Sequence, residues 1–194
     1  MMKNEQFKDE LGFIRDRGIQ LAGGRLIDQL PDYFFTVAAS STGKYHPEYA
    51  LGDGGLVRHT KAAVRFAHEL LENPIYDDKY SSEQKDMMIL ALLLHDGLKH
   101  GDGNTQYTVF EHPLLAAAFV RENGENAGLT SSQAEFIAHC IESHMGPWTR
   151  DRFGKEVLPR PADKFQNFVH MCDYLASRKC FTLKFDESNR CLGG

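Results

Sequence analysis

Imidazole and carboxylate side chains stand next to apolar sequence at several points of this chain. The clearest case is His95-Asp96, which directly follows the apolar run 87–94. A buried carboxylate without a partner is very costly, and a divalent metal ion accepts imidazole nitrogen and carboxylate oxygen together. A solvated His and Asp at a helix end would give the same dipeptide, so the other histidines and carboxylates must separate these two interpretations.

Helical periodicity distinguishes two histidines in the segment that follows Gly54-Gly55. His59 lies three residues after Leu56 and four before Ala63, so it shares their apolar face. The opposite face is predicted to be solvated and carries Lys61, Arg65, His68 and Glu72. We therefore take His59 as a candidate ligand and His68 as a surface residue.

The same reasoning applies to two later helices. His144 lies three residues after Ile141 on a predicted buried stripe, whereas His139 lies on the polar side. These two histidines are about 140° apart around a helix, so they cannot face one ion together. Asp173 borders the Phe-rich face of the last helix, and His170 lies opposite. We choose His144 and Asp173 as candidates.

His112 stands immediately before Pro113, which suits the first position of a helix, so His112 is predicted at the N-cap. The full set of candidate ligands is His59, His95, Asp96, His112, His144 and Asp173. The histidines among them could instead be core or capping residues that are hydrogen-bonded to the backbone. Asp173 could be a boundary residue. Both interpretations stay open at this point.

The candidates lie on or beside successive predicted helices, which makes the chain an all-α, single-domain helical bundle. Ser81 and Gln84 form a capping box before the apolar run, and Gly97 follows it. The other helices are predicted to span Gly54-Gly55 to Asn73-Pro74, Pro113 to Gly124, Thr130 to Met145, and Pro161 to Arg178. We divide the chain into an N-terminal helical extension at 1–36 with breaks at Gly23-Gly24 and Pro31, a metal-binding core at 37–180, and a tail at 181–194 with a loose end at 192–194.

Length and composition describe an ordinary folded domain. The chain has 194 residues, 42% hydrophobic and 25% charged, with a net charge of −5. This charge argues against extended nucleic acid or an anionic membrane as the main partner, and it is compatible with a homo-oligomer. We expect no signal peptide, and no apolar run reaches the roughly 20 residues of a membrane span. Because the four cysteines form no CxxC pair, we expect a cytoplasmic protein with free thiols.

The order of the candidates resembles the H…HD…D pattern of the HD-domain metal-dependent phosphohydrolases, carried here by His59, His95-Asp96 and Asp173. Gly-Gly-Leu-Val-Arg-His-Thr at 54–60 is similar to the Gly-Gly-Leu-x-x-His-Thr in the HD part of bacterial 3′→5′ exoribonucleases. Asp-Gly-Leu-Lys at 96–99 is similar to the Asp-x-x-Lys of binuclear HD phosphodiesterases. The resemblance covers residues 34–178. Because the sequence shows neither the OB-fold of those exoribonucleases nor the Gly-Tyr-Pro signature of cyclic-dinucleotide phosphodiesterases, it argues against both substrate types.

The resemblance implies an HD-type domain with one or two divalent ions, held by the motif residues and by two further histidines that match His112 and His144. The sequence does not select among Mn²⁺, Fe²⁺, Mg²⁺, Ni²⁺ and Zn²⁺. A bound ion generates a hydroxide that can attack phosphorus. We therefore expect hydrolysis of a phosphoester of a nucleotide or related small phosphate compound, with Asp96 bridging the ions. A nucleotide-binding regulatory HD module with little turnover is the alternative, and the retention of every ligand position favours the enzyme.

Several basic side chains are candidates for substrate contacts. Lys99 lies about one helical turn after His95 and could reach a phosphate oxygen, so we group it with Asp96 as a catalytic residue. The further candidates for phosphate contacts are Lys44, His46, Arg150, Arg152 and Arg178. The alternative is that Lys44 and His46 belong to a polar loop and that each of the arginines is a surface cation.

Overall fold

Helices account for nearly all of the regular structure in this protein, which is seen in a computed structural model. The structure describes residues 2–40, 42–76, 78–103 and 105–192. The helices of this part are α1 (Lys8–Leu11), α2 (Arg17–Gln29), α3 (Gly55–Leu71), α4 (Ser82–Leu94), α5 (His112–Ala127), α6 (Ser131–Ile141) and α7 (Lys164–Ala176). Short 3-10 helices lie at Lys3–Phe7, Asp32–Phe35, Glu48–Ala50 and Pro74–Tyr76. The predicted all-α domain is therefore confirmed.

Helix α4 lies at the centre of the bundle, in contact with α2, α3, α6 and α7. It is buried continuously from Asp86 to Leu94, as expected for an apolar run without a polar stripe. The Ser81 hydroxyl accepts from the Gln84 N–H, and the Gln84 side chain accepts from the Ser81 N–H, so the predicted capping box is present. Even this helix has only 13 residues, and no helix in the described part of the chain could cross a membrane.

Two glycines set the start of α3 and with it the position of His59. Gly54 adopts the left-handed conformation with φ of 69°, which glycine tolerates at no steric cost. A Cβ at Gly55 would collide with the Ala50 carbonyl oxygen. The glycine pair therefore lets α3 pack closely on the 3-10 helix Glu48–Ala50, while the helix also packs along α7.

The charged face of α3 is covered by the N-terminal segment, so the prediction of a solvated face was wrong at Lys61. Lys61 is only 3% exposed, and its Nζ lies 3.5 Å from Oε2 of the buried Glu10. Arg65 donates to the same carboxylate at 3.0 Å. His68 stacks on Phe13 with ring centroids 3.9 Å apart. Periodicity describes one helix at a time and cannot show that a distant segment folds over its polar face.

Two predicted glycine breaks are absent because helical glycines here serve packing. Helix α2 continues through Gly23-Gly24, where a Cβ on the first glycine would press on the Leu90 side chain of α4. Helix α5 includes Gly124 and ends only at Gly128, whose φ of 109° supplies the left-handed C-cap. Helix α5 also begins at His112 itself, with Glu111 as its N-cap instead of the predicted His112.

Two later boundaries also differ from the predicted ones. Helix α6 starts at the predicted Thr130 capping box but ends at Ile141, so His144 lies in the turn that follows the helix. Helix α7 starts at Lys164, because the Asp163 side chain accepts two backbone N–H groups there and acts as the cap. The predicted start at Pro161 is three residues too early, and the segment before Asp163 is irregular.

The C-terminal segment forms a short antiparallel hairpin of β1 (Lys184–Phe185) and β2 (Cys191–Leu192), in which Phe185 pairs with Cys191. Asn189 in its turn accepts a hydrogen bond from Arg58 of α3. The prediction of a loose end was therefore wrong at Leu192, because this segment docks on α3. The predicted loose glycines at 193–194 lie outside the described residues.

Candidate metal centre

The six predicted ligands lie together in the interior of the bundle. They come from α3, the turn after α4, the start of α5, the turn after α6, and α7. All are at most 2% exposed except Asp173, whose side chain is 18% exposed. Two sets of three residues place their ligand atoms within 4.8 Å of one another, namely His59, His95 and Asp173, and His95, Asp96 and His144. These clusters could hold a metal ion, and the role of each residue as a ligand stays a prediction.

The Asp96 carboxylate lies between two pairs of imidazoles. Its Oδ2 is 3.5 Å from His95 Nε2 and 3.7 Å from His59 Nε2. Its Oδ1 is 3.1 Å from His112 Nε2 and 3.7 Å from His144 Nε2. One carboxylate therefore presents one oxygen to each half of the cluster.

Asp173 completes the half that contains His59 and His95. Its Oδ1 lies 2.9 Å from His59 Nε2 and 3.5 Å from His95 Nε2. Asp173 is the most exposed of the six side chains, so the cluster lies nearest to solvent at this residue.

Three of the histidines are oriented by the backbone in the same way. Nδ1 of His95, His112 and His144 lies 2.6, 2.8 and 2.8 Å from the carbonyl oxygen of the residue three positions earlier. Because a carbonyl oxygen only accepts, Nδ1 must carry the hydrogen and donate it. In the neutral form of each ring, Nε2 then has a lone pair that points into the cluster, which is the arrangement that binds metal ions.

The charges of the cluster favour ionised carboxylates. Burial alone would raise the pKa of Asp96, but the adjacent Lys99 and His95 outweigh it and hold that pKa well below its usual range. Burial would also raise the pKa of Asp173, but the hydrogen bond with His59 and the nearby imidazoles hold that pKa well below its usual range. Burial would lower the pKa of His95, and the two carboxylates reverse this and raise it. Burial and the neighbouring imidazoles lower the pKa of His144 to about 3, so this ring is neutral at pH 7.

Three side-chain atoms of the cluster lack a hydrogen-bond partner among the described residues: His59 Nδ1, His95 Nε2 and Asp96 Oδ1. The contact of His112 Nε2 with Asp96 Oδ1 at 3.1 Å does not have the geometry of a hydrogen bond, so it leaves that oxygen without a partner. An unpaired buried polar atom costs about 1–3 kcal/mol. Imidazole nitrogen and carboxylate oxygen are ligands for divalent transition metals, and a cation in the cluster would satisfy His95 Nε2 and Asp96 Oδ1. The residues therefore fit a divalent metal ion.

Lys99 lies in the turn that follows Asp96, next to the cluster, as its spacing predicted. Its Nζ is 2.5 Å from Asp96 Oδ2, and its side chain is 10% exposed. The ammonium group therefore stands at the border between the buried carboxylate and solvent. Its catalytic role stays a prediction.

His46 also lies beside the cluster, with its ring centroid 5.1 Å from that of His59. Its Nδ1 is buried without a hydrogen-bond partner in the described residues. Burial, followed by the proximity of His59, lowers the pKa of His46 to about 3. The ring is therefore neutral at pH 7 and borders the half of the cluster that contains His59.

The other predicted phosphate contacts have partners elsewhere. Their contacts are Lys44 over the Tyr45 ring, Arg150 with Glu156, Arg152 over the Phe153 ring and Arg178 over the Tyr174 ring. The structure thus brings Lys99 and His46 to the cluster and gives these four cations other surroundings. Their role in substrate binding stays a prediction.

Two histidines predicted to face away from the site make specific contacts of their own. His139 Nε2 lies 2.7 Å from Oδ2 of Asp163, the cap of α7. His170 is half-buried, in contrast to the predicted solvated side chain, and its Nδ1 donates to the His144 carbonyl oxygen at 2.7 Å. Its ring packs so closely on Gly146 that a Cβ there would collide with it. His170 therefore supports the turn that carries His144.

Arg58 was not singled out from the sequence, although it stands next to His59 in the Gly-Gly-Leu-Val-Arg-His-Thr stretch. Its guanidinium donates to the carbonyl oxygens of Tyr49 at 2.5 Å and Leu51 at 2.8 Å, and to the Asn189 side chain. These bonds fasten the segment after His46 to α3 and to the C-terminal hairpin. The position of Arg58 beside His59 was the only signal in the sequence that could have drawn attention to it. Its hydrogen-bond partners depend on how the fold brings other segments to α3.

Comparison of the chain with protein-family models, curated proteins and solved structures found no match. The fold and the site therefore define the class of protein by themselves. It is an all-α protein in which five segments bring four imidazoles and two carboxylates into one buried cluster, and His and Asp side chains of this cluster could hold a metal ion.

Proposed function

We propose that the protein is a metal-dependent phosphohydrolase of the HD type, which cleaves a phosphoester of a nucleotide or a related small phosphate compound. The observation that carries this proposal is the Asp96 carboxylate, with one oxygen toward His95 and the other toward His112. A carboxylate between two sets of imidazoles suits two divalent ions that share it. The H…HD…D resemblance supports the same chemistry.

The cluster divides into two ligand sets around Asp96. One ion would be held by His59, His95, Asp173 and Asp96 Oδ2, and a second by Asp96 Oδ1, His112 and His144. Mn²⁺, Fe²⁺, Mg²⁺, Ni²⁺ and Zn²⁺ are all candidates for such a donor mixture. When bound, a divalent ion supplies Lewis-acid polarisation of the phosphoryl group and lowers the pKa of its water.

The residues of the chain hold and shield the reacting groups. The carbonyl oxygens that accept from Nδ1 keep the rings of His95, His112 and His144 aimed inward. Lys99 provides a positive charge beside Asp96 that can pair with a phosphoryl oxygen, and charge-assisted contacts of this kind are strong. Entry on the Asp173 side brings the phosphate to an otherwise buried site, where low solvent content strengthens each electrostatic contact.

The test is reconstitution of chelator-treated protein, without oxygen, with each of the five metals. Bound metal is counted, and phosphate release is measured from nucleoside mono-, di- and triphosphates, with chromatography for short oligonucleotides. We expect metal-dependent turnover that is lost in Asp96→Asn and kept in the matched control His68→Ala. Metal binding without turnover on any substrate would favour a nucleotide-binding regulatory module instead. Failure to bind any metal would overturn the proposal.

A further inference from the structure

A cavity of about 520 Å³ lies beside the metal centre. Its walls come from two segments, 46–51 and 179–183. The volume falls within the range of about 300–1,000 Å³ that is usual for small-molecule sites. The six cluster side chains do not line it, but His46 does, and the His46 ring is 5.1 Å from that of His59. The cavity and the metal centre are therefore neighbours across one histidine.

Both walls are fastened to the helices that carry the cluster. Arg58 donates to the backbone of the 46–51 wall, one residue before His59. The Tyr49 hydroxyl donates to the Ala176 carbonyl oxygen at 2.8 Å, at the end of the helix that carries Asp173. On the other wall, the Phe181 ring packs edge-on against Phe66 of α3, with centroids 5.4 Å apart. The cavity is thus built into the fold at the more exposed side of the cluster.

The lining combines flat apolar groups with polar groups and one charge of each sign, since Glu48 belongs to it as well as Lys179. Two aromatic residues, Tyr49 and Phe181, belong to opposite walls, and Lys179 adds a positive charge. His46 contributes a buried Nδ1 that lacks a partner in the described residues. Aromatic rings offer stacking surfaces to any nucleobase, whereas Lys179 and His46 suit the polar and anionic parts of a ligand. Thr182 is the single hydroxyl-bearing aliphatic side chain of this lining. The lining therefore suits a ligand with an aromatic base better than a sugar phosphate without one.

We propose that this cavity binds the base and ribose of a nucleoside monophosphate whose phosphate lies at the metal centre, with Tyr49 and Phe181 as specificity-determining residues. This inference rests on the proposed function. It places the base against Phe181, in the wall formed by residues 179–183. The phosphate end points past His46 toward Asp173, since both border the same half of the cluster.

The experiment compares AMP with ribose 5-phosphate, which lacks the base, by calorimetric titration of metal-loaded protein. We expect Phe181→Ala to weaken AMP binding about tenfold by loss of stacking, and to leave ribose 5-phosphate binding unchanged. Thr182→Trp should block AMP binding by filling the cavity. Unlike Phe181→Ala, it keeps the packing of Phe181 on Phe66. Phe153→Ala, at an 80% exposed ring outside the cavity lining, is the matched control and should bind AMP normally.

Photo-cross-linking with 8-azidoadenosine 5′-monophosphate gives a second readout that needs no turnover. We expect labelled peptides from 46–51 or 179–183. Labelling elsewhere, or AMP affinity equal to wild type in both Phe181→Ala and Thr182→Trp, would overturn the cavity assignment. Failure of the proposed function has a different signature: AMP binding would depend on Phe181 while no phosphoester is hydrolysed with any metal.

Discussion

The Nε2 atoms of His112 and His144 lie 3.1 Å apart, although each ring donates its Nδ1–H to a backbone carbonyl. Two lone pairs at this distance repel each other unless a proton or a cation lies between them. The pKa of His144 is lowered to about 3, so this ring is neutral at pH 7 and its Nε2 carries no proton. A divalent ion would satisfy both nitrogens and the unpartnered Asp96 Oδ1 together, and neither ring would need to be protonated.

This relationship predicts that His112→Ala combined with His144→Ala reduces bound metal from two ions per chain to one. The remaining ion keeps its own ligands, since His59, His95 and Asp173 are unchanged. Metal is counted by mass spectrometry after anaerobic loading with excess Mn²⁺ or Fe²⁺, with His68→Ala plus His139→Ala as the control. A wild type that never exceeds one ion contradicts the binuclear centre. A double variant that keeps both ions shifts the assignment to His46 or to His100, a buried histidine in the turns after α4.

Asp96→Asn should abolish metal binding and turnover while leaving the helix content near that of wild type. The substitution keeps the shape of the side chain but removes the negative charge that faces both pairs of imidazoles. Circular dichroism checks the fold, and metal counting with a phosphate-release assay checks the site. Activity above about a tenth of wild type, a loss of only about 1.4 kcal/mol, would show that Asp96 is not an essential ligand.

Lys99→Ala should lower kcat by about 10²-fold or more while metal stays bound. The ammonium group is 2.5 Å from Asp96 Oδ2, where we expect it to interact with a phosphoryl oxygen. Lys99→Arg, which keeps the charge, is the conservative control and should recover part of the activity. Unchanged kinetics in Lys99→Ala would reduce this residue to a structural ion pair.

Of the three histidines predicted to face away from the site, two should be nearly neutral to substitution. His68→Ala and His139→Ala should each cost about 0–1 kcal/mol in the free energy of unfolding, because the stack on Phe13 and the contact with Asp163 involve partly exposed side chains. His170→Ala should cost about 0.5–1.5 kcal/mol, because it removes a hydrogen bond to the His144 carbonyl oxygen. Denaturant unfolding measures all three, and metal loss in His68→Ala or His139→Ala would show that the helical phasing is wrong.

Glu10→Ala should destabilise the fold by about 3–5 kcal/mol, since it leaves Lys61 as a buried charge without its carboxylate partner. The matched control is Glu72→Ala, which removes an exposed partner of Arg15 and should cost about 0–1 kcal/mol. Urea denaturation of both variants gives the comparison. Equal stability losses would mean that the N-terminal segment is not held on α3 by this buried pair.

The sequence by itself determined the helical class and the buried setting of His95-Asp96. The run 87–94 has no polar stripe, and the Ser81–Gln84 capping box marks where its helix begins, so both follow from local chemistry. The inward phase of His59 likewise follows from the 3.6-residue period. Capping and periodicity involve residues within a few positions of one another, which is why a single sequence suffices for them.

Only the tertiary structure decided which side chains meet and which faces are covered. The two oxygens of Asp96 are divided between histidines up to 48 positions away in sequence, and that division depends on turns beyond α4 and α6. The burial of Lys61 by Glu10 and the docking of Asn189 on Arg58 are contacts between distant segments. Such contacts are set by how whole elements pack, and the pattern within one helix carries no information about the segment that will lie on it.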